Sequence, residues 1–247
     1  MSTAAPLAKR ILLQGRYEAL TMLRNGEQLV LAIALPLLGL VVLVLTPFLD
    51  GLAGSRVDAA TPGIIALCVM STAFTGQGIA TGFDRRYGVL RFLSTTPLGK
   101  PGLILGKALA VVVVLAVQLV VIGTAASLLG WRPDPAGLLP GLVQLVVGAA
   151  AFTALGLLVA GTLRPEATLA VTNLFWILLA VAGGIVLPGT LLPDAIRPFV
   201  DILPSAALGD GLRSALIDGA FDLAAFLILT AWAVLSSLAA IRWFKWS

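Results

Sequence analysis

Of the chain's 247 residues, 59% are hydrophobic and 11% charged, with a mean hydropathy of +1.05, whereas an ordinary soluble domain carries roughly 25% charged residues. Water could not solvate such a chain as a globule. With no histidine and a single cysteine, Cys68, inside an apolar run, disulfide frameworks, Cys/His metal sites and histidine-based catalysis are excluded. The net charge of +4 does not point to nucleic acid, because the basic residues sit at the ends of apolar runs, where membrane topology needs them.

The N-terminal stretch, residues 1–28, is not read as a cleavable leader: Lys9, Arg10, Arg16 and Arg24 are spread along it and no apolar core precedes a cleavage site. Arg10, Gln14, Glu18, Thr21 and Asn25 fall on one stripe while Leu12, Leu13, Tyr17, Leu20 and Leu23 fall mostly elsewhere, the pattern of an amphipathic interfacial helix. Six apolar runs follow, at residues 29–49, 62–83, 103–129, 138–163, 167–187 and 223–244. Each matches the ~20 residues needed to cross a hydrocarbon core of about 30 Å.

With the N-terminus inside, one side collects Lys9, Arg10, Arg16, Arg24, Arg85, Arg86, Arg91, Lys100, Lys107, Arg164, Arg242 and Lys245, and the other only Arg56, Arg132, Arg197 and Arg213. The excess of Lys and Arg marks the cytoplasmic side, so both termini are expected there and the protein in the plasma membrane. An odd number of spans would put Arg242 and Lys245 on the wrong side. The predicted fold is an all-α polytopic membrane protein forming a single transmembrane domain over residues 1–247. Gly78 with Gly82, Gly102 with Gly106 and Gly137 with Gly141 have the GxxxG spacing that permits close helix approach.

The middles of the spans hold amides and hydroxyls, among them Gln77, Gln118, Gln144 and Asn173, but no charge, which argues against ion-coupled transport. Lys107, near the inner end of the third run, is expected to snorkel to the headgroups. The nearest approach to a phosphate-binding loop, Gly102 to Ala108, lacks one residue between its glycines and has Ala in place of the hydroxyl residue. It reads as the start of a helix. Energy for moving a solute would therefore come from another chain.

The loop at residues 84–100 is the most informative. Asp84, Arg85 and Arg86 end the second run, Gly88 follows, and Leu90 and Leu93 at i, i+3 predict a short helix stopped by Pro97. The spacing of Asp84, Arg85, Gly88, Leu90, Leu93, Thr96, Pro97 and Leu98 resembles the intracellular loop of type-2 ABC exporter permeases. Arg86, Val89 and Arg91 depart from the common form, replacing a carboxylate, a threonine and a carboxylate. A basic loop of this kind would prefer an acidic groove. The N-terminal helix is similar to that family's elbow helix. Residues 187–204, with the stretch that follows, are similar to its extracellular insert between spans five and six, so residues 188–222 are expected to form a re-entrant insert marked by Pro188, Pro193, Pro198, Pro204 and Arg213.

The resemblance implies six spans and a short cytoplasmic coupling helix. Asp84, Arg85, Arg86 and Arg91 would make polar contacts to an ABC ATPase subunit, Leu90 and Leu93 would anchor the helix, and Gly88 and Pro97 would shape its turns. The chain would be a non-enzymatic permease, paired with a second copy or a paralogue, with ATP and Mg bound only by the partner ATPase. The scarcity of intramembrane charge suits a hydrophobic or amphiphilic cargo, such as a drug-like molecule or lipid. Haem export by the same architecture and a non-transporting membrane scaffold are the alternatives.

Overall fold

The computed structural model describes residues 5–50, 55–186, 188–189 and 193–245. The expected starts and ends that fall on residues 1–4, 187, 190–192 and 246–247 lie outside them. Among the described residues there are helices and turns but no strand. Eleven α-helices are named in chain order: α1 (Leu7–Arg24), α2 (Gly26–Leu45), α3 (Arg56–Met70), α4 (Gln77–Arg86), α5 (Val89–Ser94), α6 (Gly99–Leu128), α7 (Leu138–Thr162), α8 (Pro165–Ala182), α9 (Arg197–Asp201), α10 (Pro204–Asp218) and α11 (Leu223–Trp243). Among the described residues five segments are long and apolar enough to cross a bilayer, and α2 adds a shorter apolar stretch, Ala32–Leu45. The chain is a multi-pass, all-helical membrane protein.

The second of the expected runs is the axis of the bundle. α3 and α4 are joined by a π-helical turn, Ser71–Gly76, into one rod, Arg56–Arg86. The rod extends beyond the apolar run at both ends. Ser55 caps its start by accepting from the Asp58 amide at 3.3 Å, so Arg56 and Asp58 are helical although polar. Of the rod's apolar window 83% is buried, against 11% in α8. α8 therefore lies at the periphery. It also stops at Ala182, short of the expected 187, because Gly183 and Gly184 follow and Gly184 turns left-handed at φ +73°, a conformation that costs glycine little.

α10 is the helix that the insert contributes to the core. Its start, Pro204, and most of one face, including Ala207, Leu208 and Leu212, are buried against α3, α7 and α11. Pro193, Pro198 and Pro204 punctuate the segment: Pro193 accepts backbone bonds from Ile196 and Arg197, and Pro198 and Pro204 open α9 and α10. Pro188 is half-buried. Arg213 is turned inward, donating to the Gly184 and Ile185 carbonyls at 2.7 and 3.1 Å and to Asp210 at 2.8 Å. The break after α8 is thus closed by a side chain. On the same end Arg56 holds Asp50 at 2.6 and 2.9 Å, and those hydrogen bonds keep the Asp50 carboxyl below its ordinary range.

All three GxxxG pairs are used inside the chain. A Cβ on Gly78 would meet Thr172 of α8 at 2.9 Å, one on Gly106 would meet Gln14 of α1 at 2.7 Å, and Gly137 lies against the Ala215 carbonyl of α10. Gly156 lets α7 approach the π turn so closely that a Cβ would meet the Phe74 carbonyl at 2.6 Å.

A proline inside α2 is repaired in the same internal way. Pro36 has no N–H to give to the carbonyl of Ala32, four residues earlier. Gln118 of α6 donates its Nε2 to that carbonyl at 2.8 Å, while its Oε1 accepts from Thr72 at the π turn at 3.0 Å. One buried amide thereby joins three helices. Gln118→Leu should destabilise the protein in detergent by about 1–3 kcal/mol, the cost of stranded buried polar groups. Pro36→Ala, which restores a backbone donor to Ala32, should recover part of that loss in the double variant but not in the wild type. Strict additivity of the two changes in a thermal-melt series would refute the pairing.

Candidate functional site

The loop between α4 and α6 lies at the end of the bundle that also carries α1 and the tail of α11. Gly88 reverses the chain at φ +77° and Gly99 does so again at φ +69°. Between them α5 ends at Ser94, ahead of Pro97, because the Thr95 and Thr96 hydroxyls turn back to the Phe92 and Leu93 carbonyls at 2.8 and 2.6 Å. Leu90 is fully buried in a small cluster with Leu98, Leu103 and Phe244, and Leu93 packs against it. The tail of α11 is held there by Lys245, whose amide donates to the Gly161 carbonyl at 3.0 Å. Arg10 of α1 reaches across to donate to the Pro97 carbonyl.

The charged residues of the loop divide by direction. Arg85 donates to the Leu163 carbonyl at the end of α7, at 2.9 Å. Arg86 and Glu166 form an exposed pair at 3.5 Å, of the kind that contributes little. Arg91 is exposed. Beside it Tyr87 and Phe92 are 74% and 70% exposed, with Tyr87 stacked on Phe83 at 6.2 Å between centroids. Leu90 and Leu93 therefore sit on the inner side of α5, and Arg91 and Phe92 stand on its outer side.

Asp84 points inward, to Lys107. The Lys107 side chain has no exposed surface and bridges Glu18 of α1 at 2.9 Å and Asp84 of α4 at 3.0 Å. Gln14 donates to the same Glu18 carboxylate at 2.9 Å. The expectation that Lys107 snorkels to headgroups is corrected: two carboxylates meet it inside the protein, and α1 covers the route outward. α1 comes this close because Gly106 leaves room for Gln14, and Gly15 for Leu109. Gln14 and Glu18 of the polar stripe thus face α6, while Thr21 and Asn25, like Leu12, Leu13 and Tyr17, are exposed. The Gly102–Gly106–Lys107 resemblance to a phosphate loop has the same resolution, since all three lie within α6 and face α1 or its neighbours.

The sequence places Glu18 on the polar stripe of α1 without showing its partner, and it does not single out the outward aromatic pair, Tyr87 and Phe92. A signal for the first existed: a lysine inside an apolar run requires a buried partner or an escape route, and Glu18 is the acid in the neighbouring polar stripe. Among the described residues, no three or more His, Cys, Asp or Glu side chains gather to hold a metal ion.

A search of curated proteins finds no match. A family model described as ABC-2 type transporter matches residues 10–217, from the first turn of α1 to the end of α10. The chain belongs to the ABC-2 type transporter family, a membrane permease without an ATPase site of its own, working with a separate ABC ATPase subunit.

Proposed function

We propose that the chain is the membrane half of an ATP-driven exporter, crossing the plasma membrane six times with both termini cytoplasmic. In this reading α1 is an interfacial elbow, α5 the coupling helix and α9 with α10 a re-entrant insert on the outer side. The observation that carries it is the two-sided character of α5: Leu90 is wholly buried beneath it, and Arg91 and Phe92 stand free of the bundle at the end richest in Lys and Arg. A helix that short has little stability of its own. Pinned from below, it presents a preformed surface to a partner.

The docking surface is accordingly Tyr87, Arg91 and Phe92 with Arg86 at the rim, and its partner is the ABC ATPase, through a groove with acidic edges. Asp84 and Arg85 serve the loop from within. Gly88 and Pro97 set its entry and exit. The gap at the middle of the bundle, lined by Ile65, Cys68, Leu115, Gln118 and Leu145, is too small to admit water. This supports a substrate path between two permeases, copies or paralogues, over a path through one. A hydrophobic or amphiphilic cargo suits walls so poor in charge.

Coexpressed with its ATPase, the protein should recover that subunit in near-equal amount from mild detergent. Phe92→Ala with Arg91→Glu should leave membrane insertion intact and weaken docking by about 2 kcal/mol or more, the scale of an interface anchor, which is roughly thirtyfold in affinity. Arg85 is left alone in this test because it holds the end of α7. Wild-type protein recovered as a monomer without ATPase would reject the reading in favour of a scaffold.

Leu90→Ala separates anchorage from docking. It empties a closed cluster, a change that costs about 2–5 kcal/mol in a rigid core, and it should speed hydrogen exchange across residues 89–94. Phe92→Ala alone should leave that exchange near the wild-type rate, since the ring packs little on its own chain.

A further inference from the structure

We infer that Lys107 is a positioning residue that clamps the base of the coupling hairpin, fixing the spacing of α4 and α6 so that a push on α5 moves both together; the inference rests on the reading that α5 meets the ATPase. α5 is strung between two helices whose chief neighbours differ. Its entry comes from α4, which packs chiefly on α7 and α8, and its exit leads into α6, which packs chiefly on α1. α7 touches both helices, and a direct polar tie between them below the loop would keep a load on α5 from splaying them. Asp84 lies four residues before the reversal at Gly88, and Lys107 lies eight after the reversal at Gly99. Their 3.0 Å contact closes the hairpin at its base, and the 2.9 Å contact to Glu18 brings in α1.

The clamp is charged where buried ties such as Gln118 are neutral, and its cation is fully enclosed. Separating a buried ion pair is costly, so the junction resists opening. Gln77 of α4 adds a weaker tie to the same seam, donating to the Met22 sulfur of α1 at 3.2 Å. The π turn at Ser71–Gly76 lies above, and such turns are among the places where helices kink. The rod can therefore bend above the clamp while the hairpin below it stays closed.

The test uses the full chain with its ATPase in lipid nanodiscs, reading ATP hydrolysis per complex against the ATPase subunit alone. Asp84→Asn leaves Lys107 paired with Glu18, so no lone charge is stranded. Its kcat for stimulated hydrolysis should fall at least about tenfold, the worth of one charge-assisted hydrogen bond, with the KM for ATP and the copurified ATPase unchanged. Asp84→Glu, which keeps the charge on a side chain 28% exposed and so with room to adjust, should recover most of the rate. The neutral set Glu18→Gln, Asp84→Asn, Lys107→Met should fold without stranded charge and remain uncoupled. Wild-type stimulation in Asp84→Asn, or equal loss in Asp84→Glu and Asp84→Asn, would overturn the inference while leaving α5 docking intact. A wild-type complex no faster than the ATPase alone would instead overturn the docking reading, and this one with it.

Discussion

A lysine with no exposed surface, set within a helix of an apolar bundle, dictates much of what surrounds it. Desolvating an ammonium is expensive, and breaking a buried pair by removing one partner costs roughly 3–5 kcal/mol. Lys107 must therefore be met from outside α6, and it is met twice, by Glu18 and Asp84. Each partner imposes a constraint. Glu18 requires α1 to pack against α6, and Gly15 and Gly106 supply the close approach. Asp84 requires the end of α4 to stand beside α6, which fixes how far apart the two ends of the intervening loop can be.

The same logic recurs elsewhere in the bundle, with backbone carbonyls as the groups to be met. The bilayer offers no water to groups that a proline or a glycine break sets free, so another helix must satisfy them. Pro36 frees a carbonyl and Gln118 takes it; the turn after Ala182 frees two and Arg213 takes both. These polar side chains act as cross-links between distant parts of the sequence. Gln118 joins α6 to α2 and to the π turn, and Arg213 joins α10 to the end of α8. Their positions look incidental in the sequence because the group each one satisfies is a backbone atom, 86 residues away for Gln118 and 29 for the Gly184 carbonyl.

This explains which parts were legible. The helices could be read because each depends on its own run of apolar residues, and Gly88, Pro97, Leu90 and Leu93 could be read because a short loop's conformation is local. Helix ends were less accessible. The rod's start at Arg56 depends on the Ser55 cap, and the end of α8 depends on Gly183 and Gly184, neither of which registers as hydropathy. Least accessible were the directions of side chains. Asp84, Arg86 and Arg91 form one charged series in the sequence, yet one faces a buried lysine, one an exposed glutamate and one stands outside the bundle. Helical phase alone could not assign them, because the reversal at Gly88 changes the phase between α4 and α5.

The glycine pairs show how internal packing limits what remains for a partner. Small-xxx-small faces are the usual means of close contact between membrane helices, but here Gly78, Gly106 and Gly137 already receive α8, α1 and α10. A second permease would therefore have to meet larger side chains, such as Phe175, Leu178 and Val181 on α8. Contacts of that kind keep backbones apart and can slide more readily than interlocked glycine faces. For a path that opens between two copies, a firm interior and a looser mutual surface would be complementary: the clamp and the glycine contacts keep each copy intact while the join between them changes.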